Sequence, residues 1–476
     1  LLHEFYTSPL RHIPGPMYTL FTRLPLKYHI LTGSRIQYVH ALHGSYGPIV
    51  RISPRQVAVS EPNAVATIHR VSGGFPKSPW YEESTLPEGG EPSIFSLSDP
   101  KKHAARKKLL GKVFTKTSMR RDWEGTVREK VERAVERIYY EAKNKGSSDV
   151  LKWFTMMTTD VVAHLAFGES FRMLELGEKN DYMKMLELIS VQNSTWYELP
   201  FLYAVRAHIS FLKSSNDVVD AQEVLSSYSE RALSTLRKHN DNTRTLFTKV
   251  MSLAEAEASE KTAGEHEVLT DDEILADIKA IIIGGSDTTS ITLTYLVWAV
   301  VRRPRLRTRL EAEVASIEPG FDDAELERLP LLNAVIEETL RLYGAAPGQL
   351  PRTVPPGGAT LGGYFIPGGI TVETQAYTLH RDPNVWPDPL RFDETRFLDP
   401  SKLSQRQKQL FMPWGAGSRT CLGTELARME LRLGAAVLFR RCKGLVLAAG
   451  MSDEMMEMEN FFLVSPVGHK CEVTLP

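Results

Sequence analysis

Cys421 sits in WGAGSRTCLG (residues 414–423), where three glycines, an arginine and one thiol share ten positions in a chain with only three cysteines. A thiolate is a nucleophile or a metal ligand, and its surroundings decide which. Glycines let backbone N–H groups approach a sulfur closely. The helix expected after Cys421 would add its N-terminal dipole, so both effects predict a thiolate. Arg419 can hold an anionic group of whatever the thiolate binds. Several other chemistries do not fit. A dinucleotide fingerprint needs glycine at 420, where Thr420 stands, and the Gly-Lys-Ser/Thr of a phosphate loop is absent. A serine-hydrolase elbow fails because Ser418 directly follows Gly417, and no further Cys or His lies near enough for zinc. A buried structural cysteine remains the alternative on residue type alone.

A second group lies in GGSDTTS (284–290). Two adjacent glycines cost a helix up to ~2 kcal/mol against alanine, and the hydroxyl residues behind them can compete for backbone carbonyls and bend or open it. The bland reading is a kink. The functional reading is a groove beside a flat cofactor, with Asp287 and Thr288 as an acid–alcohol pair for proton delivery. Glu338 and Arg341 stand at i and i+3 in the apolar setting AVIEETLRLYG, a spacing that usually makes a surface ion pair.

The elements that must position these residues follow from pattern. IVRISPRQVAVSE reads as a β-hairpin, and the chain from about Lys101 to Glu313 is mostly helical. Thr270 and Glu273 have capping-box spacing before an apolar run that ends at Arg302-Arg303-Pro304. That predicts a helix of about 30 residues, roughly 45 Å long. Ala254 to Glu267 reads as a solvated connection. Leu331–Tyr343 and Glu425–Arg441 read as helices, 351–374 as short strands, and 380–413 as a long irregular stretch, of the kind that usually serves a purpose. A formal net charge of −1 argues against nucleic acid. Three cysteines are too few for a disulfide framework, so a reducing compartment is expected. No run of 18 apolar residues spans a bilayer.

Cys421 with nearby cations is what a haem iron and its propionates require. The loop resembles the haem-binding loop of the cytochrome P450 family, with Trp414, Gly415, Gly417, Arg419, Cys421 and Gly423 matching. Trp414 stands where that family usually has Phe and would add an indole N–H donor near the sulfur. GGSDTT resembles the family's oxygen-activation segment. Glu338 and Arg341 resemble its Glu-x-x-Arg signature, with Phe392, Arg396 and Phe397 completing a buried network that holds the cysteine loop. Glu394-Thr395 departs from the usual Pro-Glu there.

The resemblance runs from Pro14 to Gly423. It implies one haem-thiolate domain over 1–476, mainly α with small β-sheets, with haem b between the long central helix and the cysteine loop. Cys421 would be the iron ligand. Arg419, Arg352, His103 and Lys107 would meet the propionates, with Arg106 a substitute for Lys107 and His380 a weaker candidate. The implied reaction inserts one atom of O2 into a C–H bond of a hydrophobic small molecule, a secondary metabolite by the style of the sequence, with Asp287 and Thr288 supplying protons. Oxidative coupling, desaturation or rearrangement is the alternative, and a non-catalytic haem protein a third reading. Electrons would come from an NADPH-cytochrome P450 reductase-type donor, docking at Arg440, Arg441 or Lys443. Pocket walls are expected at Trp80 to Ser93, Ala345 to Leu350 and Phe461-Phe462, unless those phenylalanines are plain core. The Pro14-Gly15-Pro16 turn would follow a missing N-terminal membrane anchor, placing the protein on the cytoplasmic face of the endoplasmic reticulum.

Overall fold

A computed structural model describes residues 6–85, 90–178, 197–199, 245–259 and 269–476. The predicted hairpin is present as β1 (Ile49–Ser53) and β2 (Gln56–Val59), paired Ile49 to Val59. Helices α1 (Pro100–Gly111), α2 (Lys116–Asn144), α3 (Val150–Phe167) and α4 (Leu246–Ser259) lead to the long helix α5 (Asp271–Val301). After it come α6 (Pro304–Ala315), α7 (Pro330–Tyr343), the strands β3 (Gln349–Thr353), β4 (Ala359–Leu361), β5 (Tyr364–Ile366) and β6 (Thr371–Gln375), and α8 (Thr424–Arg441). Near the end lie β7 (Met458–Asn460) and β8 (Val464–Pro466), an antiparallel pair. The largest sheet has the order β1-β2-β6-β3. Only β2–β6 is parallel, and β3 pairs β6 with Arg352 opposite Val372.

The capping box of α5 forms as its sequence predicts. Glu273 N–H donates to Thr270 Oγ1 at 3.2 Å, and Thr270 N–H donates to the Glu273 carboxylate at 3.0 Å. The C-terminal half of α5 is buried almost without interruption from Thr289 to Val301. It forms the core with α3, α7 and α8, around side chains such as Trp153, Phe154, Tyr295 and Phe439. By length and composition α5 could cross a membrane, but 61% of its apolar window is already buried by the fold.

One expectation fails here, and a second is met only in part. Ala254 to Glu267 is not all connection, because α4 continues through Ser259; 260–267 lie outside the described residues. The hydroxyl run does not open α5, which is helical throughout. Its side chains bond back along the helix instead, Ser286 to Ile282 O at 2.8 Å and Thr292 to Thr288 O at 2.8 Å.

The glycine pair divides its work. A Cβ on Gly285 would lie 2.8 Å from Val162 of α3, so this glycine allows close helix packing. A Cβ on Gly284 would meet nothing within 4 Å, and that residue alone leaves open room in the expected groove.

Candidate active site

The cysteine loop is pinned on both sides. Gly415 and Gly417 have φ of 70° and 66°. A Cβ on Gly417 would sit 1.8 Å from His69 O, so no other residue fits there. Cys421 N–H donates to Trp414 O at 2.8 Å, and Thr424 Oγ1 donates to Cys421 O at 2.9 Å. Lys107 of α1 donates to Ser418 O at 2.8 Å and Thr420 O at 2.7 Å. Arg419 reaches the other way, to Leu97 O at 2.7 Å and Ser98 O at 3.0 Å.

Beneath the loop lies a buried charge network. Arg341 makes two hydrogen bonds of 2.7 Å to Glu338, and Arg396 Nε approaches the same carboxylate at 3.4 Å. Arg341 also donates to the carbonyls of His380, Pro389 and Arg391, and Asp393 N–H donates to Glu338 at 2.8 Å. The irregular stretch after 380 thus serves to supply backbone acceptors for a wholly buried guanidinium. His380 belongs to this scaffold and not to a haem contact. Its Nδ1 pairs with Arg341 O at 2.9 Å, while its Nε2 accepts from Met412 N–H at 2.9 Å. Burial drives its pKa down to about 3, so it stays neutral.

Above the loop opens a cavity of about 1020 Å³. It exceeds the usual range for one drug-sized ligand. Cys421 Sγ faces it, as do Asp287, Thr288 and Gly284 on α5. The thiol is exposed to this space while protein encloses its other sides. Burial pushes the Cys421 pKa up, against the Gly423 N–H, the Thr424 hydroxyl and Lys107, which favour the anion. The Gly423 N–H, the Thr424 hydroxyl and Lys107 thus work against the cost of burying a thiolate. A positive partner at the sulfur would work the same way, and a metal ion supplies one.

Four cations that act on one another line the same cavity: Lys77, Lys107, Arg352 and Arg419, with His103 among them. No ion pair engages any of the four among the described residues. Each depresses others. Burial first, then Arg419, Lys77, Lys107 and Arg352, holds His103 down to about 3. Burial and the other three cations push Lys77 well below its usual value. Arg419 falls to about 10 by burial and Arg352. Arg352 Nη1 is buried with no hydrogen-bond partner. Such a cluster is costly unless an anion enters, and propionates carry the required sign. With Sγ facing the same cavity, these residues fit a haem.

The structure brings the sequence-predicted Cys421, Arg419, Arg352, His103, Lys107, Asp287 and Thr288 around one cavity, with Trp414, Gly415 and Gly423 in its lining. Thr288 Oγ1 donates to Gly284 O at 2.7 Å. Arg106 is no substitute for Lys107, because it turns away to Pro92 O at 2.7 Å and to Glu273. The Trp414 indole N–H is buried and finds no partner, the sulfur included. Arg440 and Arg441 are misplaced as docking residues. Arg440 donates to Val314 O and Ile317 O, and Arg441 pairs with Glu136. They and Lys443 lie at the far end of an 18-residue helix, roughly 27 Å from its start beside Cys421.

Lys77 and Glu430 were missed. Lys77 donates to Phe95 O and lies 4.1 Å over the Tyr81 ring. A single lysine in FPKSPW carries no periodic signal. Glu430 had one, a charged residue on the buried face of α8 between Leu426 and Leu433.

The expected walls line the cavity at Trp80, Tyr81, Ser84, Ser93, Ala345, Leu350 and Phe462, while 86–89 lie outside the described residues. The Phe462 ring lies 6.1 Å from Trp80 and 5.5 Å from Phe95, so it lines the cavity rather than the core. Its φ of 138° is strained for a residue with a side chain.

A family model described as cytochrome P450 matches residues 14–473. The chain is 41% identical to "Cytochrome P450 monooxygenase stcB" of Emericella nidulans over 99% of its length and 89% of that protein's. It is 42% identical to "Cytochrome P450 monooxygenase tazI" of Aspergillus terreus, covering 99% and 94%. It is 40% identical to "Cytochrome P450 monooxygenase aflV" of Aspergillus parasiticus, covering 100% and 93%.

Proposed function

The chain belongs to the cytochrome P450 family, and from that premise we propose that Cys421 binds the haem iron while Asp287 and Thr288 serve oxygen chemistry on a hydrophobic, aromatic-bearing substrate. It is a haem-thiolate oxidoreductase of the monooxygenase type with relatives in fungal secondary metabolism, and it needs a redox partner. The observation that carries the site assignment is the convergence on one cavity of Cys421 Sγ, the Asp287–Thr288 pair and four cations that form no ion pair among the described residues.

When bound, the haem supplies dioxygen activation, and a cysteine thiolate ligand pushes electron density toward O–O cleavage. The protein supplies position, protons and dryness. Arg352, Arg419, Lys77 and Lys107 would hold the propionates. Thr288 lends its hydroxyl proton to Gly284 O, which leaves its oxygen lone pairs toward the cavity to accept from a water. Asp287, half-buried one residue earlier, can refill that water from the cavity mouth. The rings of Trp80, Phe95 and Phe462 form a wall that seats a flat apolar substrate by edge and face contacts and excludes water.

A reductase-type flavoprotein donor would meet the cysteine-loop side of the molecule. Helix α1 carries exposed Lys101, Lys102 and Lys108, and its Lys107 is bonded to the loop itself. Exposed Met17, Leu24 and Tyr28 would let this end of the molecule rest on a membrane surface, which this reading takes to be the cytoplasmic face of the endoplasmic reticulum.

The test is the absorption spectrum of the reduced, carbon-monoxide-bound protein. A thiolate-type band in the wild type, lost in Cys421→His, is expected. A pigmented protein with an imidazole-type band in the wild type would refute the ligand. In turnover with candidate aromatic metabolites, Thr288→Ala should keep consuming reductant while forming less product. Undiminished product would instead favour coupling or rearrangement chemistry.

A further inference from the structure

The cavity holds a deeply buried acid that this reading does not use. Glu430 lies on α8, nine residues after Cys421, and is 2% exposed. It lines the cavity beside Thr289 of α5, whose hydroxyl is the polar group that favours its ionised carboxyl. Its Oε1 is buried with no partner. The two helices meet in register here. One turn further along both, a Cβ on Gly434 of α8 would lie 3.0 Å from Leu293 of α5.

The charges that could have paired with Glu430 are turned elsewhere. Arg428 on the same helix goes to Glu337 of α7 and over the Trp414 ring, and Arg432 makes two bonds to Asp323. Arg341 of α7 is committed to Glu338. On α5 the nearest charged group is Asp287, of the same sign. On α2, Lys130 approaches Glu129 and Arg128 approaches Glu124. A carboxylate here would be a buried anion with no cation and an empty acceptor, which is costly. A carboxylic acid has one acceptor site fewer to fill and gains a donor.

We propose that Glu430 is a neutral, proton-bearing positioning residue whose O–H orients the Thr289 hydroxyl on the helix that carries Asp287 and Thr288. As an acid it donates to Thr289 Oγ1 and frees that hydroxyl's own proton to point along the helix. As an anion it would capture that proton and reverse the bond. Burial, opposed only by Thr289, pushes its pKa up to about 8, which agrees with the neutral form near pH 7. The idea rests on the haem-thiolate reading only for its consequence in oxygen chemistry, since the protonation itself is a property of the fold.

Three measurements on the purified holoenzyme test it. Difference infrared spectroscopy between wild type and Glu430→Gln at pH 7 should show a carboxylic-acid C=O stretch belonging to Glu430. A carboxylate band there instead overturns the proposal. The second is thermal unfolding against pH. A folded pKa above the unfolded one means that the native state binds more protons between about 4.5 and about 8, so stability falls as pH rises through that window. Glu430→Gln, which keeps a neutral donor, should gain on the wild type steadily from pH 5 to 8. A constant difference overturns the proposal. Third, the C–O stretch of the reduced carbon-monoxide adduct should shift with pH in the wild type around the Glu430 midpoint and stay fixed in Glu430→Gln. The same pH response in both would remove the positioning role. A missing thiolate-type absorption band, with the infrared result intact, would instead count against Cys421 as ligand and leave Glu430 standing.

Discussion

Two buried arginine clusters flank the cysteine loop, and they differ in what they lack. The cluster at Glu338, Arg341, Arg396 and His380 is closed: its carboxylate, guanidinium and carbonyls pair within the chain. The cluster at Lys77, Lys107, Arg352 and Arg419 is open: its cations are close enough to depress one another, and no carboxylate answers them among the described residues. Closed charge is scaffold, because removing one member orphans another. Open charge is a binding site, because its energy is recovered only when an anion arrives. The distinction rests on pairing, since each cluster has a buried arginine at its heart, Arg341 in one and Arg352 in the other.

The sharpest way to break this comparison is Arg341→Ala. It should strand Glu338 and cost ~3–5 kcal/mol, read by denaturant unfolding of the holoenzyme, whereas replacing Glu338 and Arg341 together by apolar residues should recover much of that loss. A cost under ~1 kcal/mol for the single change would mean that the closed cluster is not scaffold. Arg352→Met should do the reverse. Unfolding of the haem-free chain should hold or improve, while haem transfers to an acceptor protein at least about tenfold faster, as expected for losing a charged hydrogen bond of ~1.5–3 kcal/mol. Equal losses in both assays would erase the difference between clusters.

Acid sharpens it further. His103 and His380 both sit at about 3 when folded, against 6.5 when unfolded, so the unfolded chain binds protons first. Stability is therefore lost as pH falls below 6.5, with a ceiling of ~1.4 kcal/mol per pH unit for each histidine. Haem should relieve His103, whose neighbours are open cations, and leave His380 unchanged. The wild-type slope should thus flatten on loading, and His103→Asn should abolish that flattening. Trp414→Phe should have the smallest effect. Its indole N–H makes no bond, so thermal unfolding should move by less than ~1 kcal/mol. A larger loss would show that the indole does find the sulfur.

Much of this was readable along the chain, where the deciding forces are local. Helix α5 and its cap follow from Thr270, Glu273 and apolar run length, and the hairpin follows from alternation around a turn. The loop was legible because φ above zero and a 1.8 Å approach leave glycine no substitute at 417. The failures all required knowledge of neighbours. Arg106 and Lys107 are adjacent in sequence, and only packing against α5 sends the first to Glu273 and the second to the cysteine loop. Arg440 and Arg441 share a helix with the cysteine loop but lie at its other end. Ala254 to Ser259 is small and acidic, yet continues α4.

Residue type and spacing alone determined which groups could do chemistry here: one thiol among glycines, an acid–alcohol pair in a helix, a Glu-x-x-Arg turn. Tertiary structure decided their charge states and partners. Whether a thiol ionises, a lysine lacks a carboxylate partner or Glu430 keeps its proton depends on the dielectric and on charges from distant segments, and such long-range electrostatics leave no periodic trace along the chain.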